Sequence, residues 1–306
     1  MVSIKGKNIF GTKDLTAEEF YLIAEKAKEY KELSKNQDKK INVLRGRTII
    51  NVFFENSTRT RISFELAGKR LGADVINMSV SSSSLKKGES LMDTAKTLDA
   101  MNTDLYVIRH SVAGTCKIFS SFVRGCVINA GDGANEHPTQ GILDVFTIYE
   151  KLGYIKGLKV AIVGDALHSR VLRSNVYLLK TLGAEVTVVG PETLVPSDFK
   201  KLGVNITDNF DSVIDKVDVI NLLRLQLERQ KESYFPTIKE YNYYYGLTKD
   251  RLSRAKENVI IMHPGPMNRG VEIDYDVADS SKQVILDQVE NGVAVRMALL
   301  SLILGE

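Results

Sequence analysis

From Thr48 onward, short apolar runs rich in β-branched residues alternate with longer stretches whose apolar positions recur at helical spacing. The short runs predict strands over residues 48–54, 74–80, 104–108, 127–130, 159–163, 185–189, 218–222 and 259–262. Between them, the 3.6-residue period predicts helices over 88–101, 137–152, 169–182 and 248–255. Strict alternation of strand and helix implies parallel sheets with covering helices, because parallel strands need a crossover and that crossover packs on a sheet face. The fold class is therefore α/β, with two domains, each a parallel sheet covered by helices. The Gly131-Asp132-Gly133 turn closes a first four-strand unit, and a second begins at Lys159. A last helical pattern, 287–304, carries Val289, Val293, Met297, Leu300 and Leu304 on one stripe and is expected to return to the first domain. The expected domains are 1–135 plus about 288–306, and 136–287.

The end of the first strand holds the most informative chemistry, Phe54-Glu55-Asn56-Ser57-Thr58-Arg59-Thr60-Arg61. A helix starts there, with Ile62 and Leu66, together with Phe64 and Leu71, as its apolar positions. The first N–H groups of a helix lack internal partners and its dipole puts partial positive charge at that end. Hydroxyls and guanidinium groups at the same point supply donors suited to a tetrahedral oxyanion. An ordinary N-cap would account for Ser57-Thr58 alone, whereas two arginines at alternate positions favour a phosphate-like ligand.

Other polar clusters also follow predicted strands, where ligands gather in parallel α/β sheets. Arg109 and His110 follow the third strand, and Asn135-Glu136-His137-Pro138-Thr139-Gln140 the fourth. Asp165 through Arg170, then Arg224 with Gln226, then His263-Pro264-Gly265-Pro266 follow later ones. His137 and Gln140, three apart at a helix start, share a face, either to bind a carbonyl oxygen and its adjacent amide or to complete local hydrogen bonds. Arg170 and Arg224 would suit a dicarboxylate, each guanidinium holding one carboxylate bidentately. The stretch Ser81-Ser82-Ser83-Ser84-Leu85-Lys86-Lys87-Gly88 reads either as a solvated loop or as one that closes over an anion.

Composition narrows the partners. At 306 residues the chain has material for two domains. A net charge of +3 gives no general attraction to nucleic acid or to a membrane surface, so anion binding must come from local placement. Two cysteines, Cys116 and Cys126, make no disulfide framework and suit a reducing, cytoplasmic setting. No His/Cys spacing matches a metal site, and no apolar run is long enough to span a bilayer. No cofactor is expected.

Together the motifs resemble the transcarbamoylases. The matching elements are Phe54 through Arg61, Lys87-Gly88-Glu89, His137-Pro138-Thr139-Gln140, Arg224-Leu225-Gln226 and His263-Pro264-Gly265-Pro266-Met267-Asn268-Arg269-Gly270, in the family's order over nearly the whole chain. The last two fall on the aspartate side of the family, since the ornithine enzymes look like Ser-Met-Gly and His-Cys-Leu-Pro at these places. Another amine acceptor such as ornithine stays the nearest alternative. A Rossmann-type oxidoreductase is the more distant one, because Val160 through Asp165 opens like a nucleotide-binding unit but lacks G-x-G-x-x-G spacing.

The resemblance implies transfer of a carbamoyl group from carbamoyl phosphate to the α-amine of L-aspartate, early in pyrimidine biosynthesis. By the same resemblance, Ser57, Thr58, Arg59, Thr60 and Arg109 bind the phosphate. Thr60, Arg109 and His137 point at the carbonyl oxygen, and Gln140 at the carbamoyl amide. Pro264 and Gly265 line the site, and Arg170, Arg224 and Gln226 hold the aspartate carboxylates. Ser83 and Lys87 come from a neighbouring subunit, Lys87 reaching both substrates, which implies a homotrimer with shared sites. Glu55, Arg170 and Arg229 resemble an interdomain ion-pair set. The resemblance also admits regulatory chains on the catalytic trimers.

Overall fold

The structure, a computed structural model, describes residues 2–79, 89–225 and 235–305. The chain divides into two compact units, residues 1–143 with 290–306, and residues 144–289.

In the first unit, strands β1 (Thr48–Phe53), β2 (Asp74–Ser79), β3 (Leu105–His110) and β4 (Cys126–Asp132) form an all-parallel sheet in the order β2-β1-β3-β4. In the second, β5 (Lys159–Val163), β6 (Glu185–Val189), β7 (Asn205–Thr207), β8 (Val219–Leu222) and β9 (Ile260–Met262) form another, ordered β7-β6-β5-β8-β9. The helices are α1 (Ala17–Leu33), α2 (Thr58–Arg70), α3 (Leu91–Asp99), α4 (Thr115–Ser120), α5 (Pro138–Leu152), α6 (Arg170–Thr181), α7 (Ile238–Tyr245), α8 (Lys249–Arg254), α9 (Tyr275–Ala278) and α10 (Ile285–Leu304). The chain passes from the first unit to the second within α5 and returns within α10. The C-terminal helix belongs to the first unit from Glu290 onward, where the Ile303 carbonyl accepts the Gly6 N–H at 3.1 Å.

Central strands are buried on both faces, which explains their continuous apolar runs. Ile50, Val52, Tyr106, Ile108, Phe119 and Val127 form the core of the first unit, and Ala161, Val163, Val189, Ile220, Leu222 and Ile261 that of the second. Burial of each large side chain is worth roughly 1.5–3 kcal/mol. The one polar side chain inside β1, Asn51, donates to Asn77 Oδ1 at 2.8 Å across the β1–β2 pair.

The structure departs from the sequence pattern in instructive places. Helix α1 lies ahead of the region that the alternation covers, yet it carries a capping box in which Thr16 accepts the Glu19 N–H and Glu19 the Thr16 N–H. Strand β7 has three residues, none buried, and was too short and polar to register. On α2, Phe64 and Ala67 face the core while Ile62 and Leu66 stay 47% and 40% exposed, so this helix has two apolar faces and buries one. Val289, counted with the buried stripe of α10, is 55% exposed. Residue 80 of the second expected strand and residue 88 of the first expected helix lie outside the described residues. Among the described residues, no helix is long and apolar enough to cross a membrane.

The N-terminal segment runs along β4, with Ile9 donating to the Val127 carbonyl and accepting from the Asn129 N–H, both at 2.9 Å. This brings Gly11 against the buried Glu136, where any Cβ would overlap the carboxylate. Glu136 accepts the Thr12 N–H at 2.7 Å and the Thr12 hydroxyl at 2.9 Å, and so fixes the residue just before His137. Gly11→Ala is therefore expected to destabilise the protein by about 1–3 kcal/mol, because the overlap falls on a carboxylate already pinned by two donors. Urea unfolding of the variant beside the parent chain measures this.

Candidate active site

Each sheet reverses its strand order at one point, and in open α/β sheets ligands settle outside the strand ends at such a point. In the first unit the reversal lies between β1 and β3. Ser57, Thr58, Arg59 and Thr60 follow β1, and Arg109 lies within β3, in register with Phe53. Strand β4 pairs with the other side of β3, and past its end come His137 and Gln140. Three neighbouring strand ends thus supply every residue expected for the phosphate and carbonyl half of the site, apart from those of the 80s stretch and of the His263 loop.

Ser57 is the N-cap of α2 with extended backbone, yet its hydroxyl makes no capping hydrogen bond. The first turn of α2 holds no acidic residue, so nothing on the helix itself offsets its positive end. Thr58 and Arg59 are exposed and Thr60 is buried. Arg109 is 9% exposed; its Nη1 donates to the Ala130 carbonyl at 3.1 Å and its Nη2 lies 3.7 Å from Glu55 Oε1. That carbonyl anchor holds the guanidinium across the ends of β3 and β4.

His137 is buried immediately before α5, and its carbonyl accepts the Gln140 N–H at 2.9 Å and the Gly141 N–H at 3.1 Å. Its approach is set by Asp132, in the sequence simply the middle of the Gly131-Asp132-Gly133 turn. Asp132 Oδ1 accepts from Asn129 Nδ2 at 2.7 Å and from the Glu136 N–H at 3.3 Å, and Oδ2 accepts the Gly114 N–H at 2.7 Å. His110 has a local explanation. Its Nδ1 accepts the Val112 N–H at 2.9 Å, its ring packs 4.8 Å from Phe54, and burial lowers its pKa against the pull of Glu55 and Asp132. Burial also raises the Cys116 thiol, leaving it an inert core group.

In the second unit the order reverses between β5 and β8. Arg170 opens α6, which Ser169 caps by accepting the Leu172 N–H at 3.1 Å, and it is 6% exposed. Before it, the buried Asp165 pairs with His168 Nδ1 at 2.9 Å and accepts the His168 N–H at 3.2 Å, shaping the turn. Gly164 above them has φ of +125°, and a Cβ there would meet the buried Tyr241 hydroxyl. Half-buried Arg224 follows β8.

His263 follows β9 and is locked in one tautomer. Its Nδ1 accepts the Gly265 N–H at 2.8 Å while Nε2 donates to Glu272 Oε1 at 3.0 Å. Glu272 Oε1 also accepts the Asn268 N–H at 2.6 Å, and Asn268 Nδ2 donates to the Leu225 carbonyl at 3.2 Å. The loop bearing Pro264 and Gly265 is thereby tied to the segment bearing Arg224. Glu272 lies two residues past the end of the motif His263 through Gly270. Ser83, Lys87, Gln226 and Arg229 lie outside the described residues.

Known proteins match along the whole length. The family model described as the carbamoyl-P binding domain of aspartate/ornithine carbamoyltransferase matches residues 7–150, and that of the Asp/Orn binding domain matches residues 156–303. The aspartate carbamoyltransferase catalytic subunit of Syntrophotalea carbinolica is 54% identical over 299 residues, covering 98% of this chain and 96% of that protein. Its counterpart from Moorella thermoacetica is 53% identical over 302 residues, covering 99% and 98%. Among solved structures, Trypanosoma cruzi aspartate transcarbamoylase in complex with N-(phosphonacetyl)-L-aspartic acid is 33% identical, with a TM-score of 0.89 and coverage of 99% and 97%. Ornithine carbamoyltransferase from Pyrococcus furiosus is 30% identical, with a TM-score of 0.87 and coverage of 99% of both chains. Backbone similarity alone thus groups aspartate and ornithine enzymes together. Strand order, the polar strand ends and both family models converge: the chain belongs to the aspartate/ornithine carbamoyltransferase family.

Proposed function

We propose that this protein transfers the carbamoyl group of carbamoyl phosphate to the α-amine of L-aspartate, giving N-carbamoyl-L-aspartate and phosphate, an early step of pyrimidine biosynthesis. The observation that carries this reading is the start of α2, a helix end with no acidic residue in its first turn, a hydroxyl not used for capping, and Arg109 at the adjoining strand end. The aspartate carbamoyltransferase relatives at 53–54% identity support aspartate as the acceptor, as do Arg224-Leu225-Gln226 and His263-Pro264-Gly265-Pro266.

In this reading the first unit is the carbamoyl phosphate unit. Ser57, Thr58, Arg59 and Thr60 take the phosphate at the helix end, with Arg109 beside them. Thr60, Arg109 and His137 face the carbonyl oxygen, and Gln140 the carbamoyl amide. The second unit supplies Arg170, Arg224 and Gln226 for the two aspartate carboxylates, and Pro264 and Gly265 through their backbone carbonyls. The neutral amine attacks the carbonyl carbon, a C–N bond forms, and negative charge grows on the oxygen. Fixed donors stabilise that charge more than they stabilise the ground state. The C–O bond to phosphate then breaks and the departing phosphate takes the amine proton, so no protein base is required. Holding both substrates in line contributes up to about 7–11 kcal/mol through proximity.

The same reading makes the protein a cytoplasmic homotrimer in which Ser83 and Lys87 of a neighbouring subunit complete each site. What supports association is the exposed apolar face of α2, Ile62 and Leu66, with Ile76 51% exposed on the edge strand β2. Glu55, Arg170 and Arg229 form the interdomain ion-pair set of this reading, and regulatory chains are compatible with it.

Three experiments test these roles. Arg59→Ala is expected to lower kcat by at least about 10²–10³-fold, the cost of removing one cationic donor from the phosphate as it departs with its charge, with the melting temperature unchanged. Carbamoyl transfer assayed with aspartate and with ornithine is expected to proceed with aspartate alone, and turnover of ornithine alone would overturn the choice of acceptor. Lys87→Ala mixed with His137→Ala is expected to regain activity in hybrid trimers, since one site per hybrid then holds both native residues; inactive hybrids of verified composition would exclude shared sites.

A further inference from the structure

Along α10, Ala294, Val295, Met297, Ala298, Leu299 and Leu300 are all buried, and Arg296 lies among them with only 4% of its surface exposed. A guanidinium withdrawn from water this far is costly unless its N–H groups meet acceptors, and its planar fork can serve two directions at once. The two terminal nitrogens meet such acceptors, and in more than one direction. Nη1 donates to Ser63 Oγ at 2.9 Å and to the Gly292 carbonyl at 3.0 Å, and Nη2 donates to Thr139 Oγ1 at 3.4 Å. The cation also sits 5.1 Å from the centroid of the Phe64 ring. Gly292 makes room for it, since a Cβ there would stand 2.7 Å from Nη1.

The two tips of the fork land on the two helices that carry the proposed carbamoyl phosphate ligands. Ser63 is four residues after Arg59 and three after Thr60, one turn along α2. Thr139 lies between His137 and Gln140 in the first turn of α5. All of these residues belong to the first unit. We propose that Arg296 is a positioning residue for carbamoyl transfer, tying the start of α2 to the start of α5 so that the phosphate ligands and the carbonyl ligands keep a fixed spacing. The proposal rests on the function proposed above. Its physical basis is the steep dependence of transfer on geometry, since a displacement of about 1 Å at the reacting atoms costs on the order of 10²-fold in rate.

Four variants test it: Arg296→Met, which keeps the length and loses all donors; Arg296→Lys, which keeps the charge but cannot span both partners; and Ser63→Ala and Thr139→Val, which remove one tip each. Steady-state kinetics on both substrates, with melting temperatures, are measured for each. The expected result is a fall in kcat of about 10²-fold for Arg296→Met and nearly as much for Arg296→Lys. KM for carbamoyl phosphate should rise while KM for aspartate stays within twofold. Thr139→Val and Ser63→Ala should show smaller losses in the same sense, and Thr139→Val should add nothing once Arg296→Met is present. Wild-type kinetics in Arg296→Met, full recovery in Arg296→Lys, or a lowered melting temperature with no change in either KM would each overturn the proposal. Should the Arg296 variants fail to fold, the Ser63→Ala and Thr139→Val kinetics decide it by the same criterion. Arg59→Ala serves as control: its retained turnover would defeat the functional reading itself, whereas its inactivity beside an unaffected Arg296→Met would defeat only the positioning role.

Discussion

The constraint on which the rest depends is that a parallel sheet delivers all its strand ends to one edge, and delivers the positive ends of the following helices there as well. In the first unit this puts the start of α2 next to the end of β3, with no carboxylate in the helix's first turn to offset it. Burying apolar side chains on both faces of β1 and β3 fixes these strands in register, so Phe53 and Arg109 stand side by side. The electrostatics of the proposed site are thus a consequence of core packing. A small net charge over the whole molecule suffices because the cations are placed rather than numerous.

The loops that bear the site residues owe their shape to buried carboxylates that meet no substrate in the proposed mechanism. Glu136 gathers two donors from Thr12, Asp132 gathers donors from Asn129, Glu136 and Gly114, and Glu272 holds both His263 and the Asn268 N–H. Hydrogen bonds to charged acceptors are worth roughly 1.5–3 kcal/mol, and their loss leaves a buried carboxylate poorly paired. Such anions rigidify the turns that precede His137 and surround Gly265. Rigid turns let neutral or cationic side chains be held where charge develops, without reorganisation at the moment of reaction.

The sequence made the sheets legible because both-faced burial writes itself as β-branched runs, and it made the candidate site residues conspicuous because they cluster directly after those runs. What escaped had physical reasons. Strand β7 gains little burial at a sheet edge, so three half-polar residues gave no period to detect. Helix α2 reads as one amphipathic pattern when it has two apolar faces, and only packing tells that Phe64 turns inward while Ile62 and Leu66 do not. Asp132 and Glu272 each combine backbone N–H with side-chain donors, among them Asn129 and His263 respectively, a role with no residue spacing of its own. Glu136 and its partner Thr12 are 124 positions apart.

Arg296 belongs to the same class of hidden residue, although the sequence did carry a signal for it: a lone arginine inside an otherwise apolar helical stretch. Nothing about the helix requires a cation there, and propensity alone would favour leucine or alanine as much. A buried ion bridge is weak grounds for stability, since well-packed apolar residues often do as well or better. Its persistence is better explained by what an apolar side chain lacks, a rigid fork that reaches two helices at once. On that view the C-terminal helix returns to the first unit for more than coverage of its core. It brings one guanidinium to the place where the phosphate helix and the carbonyl helix must agree on a distance.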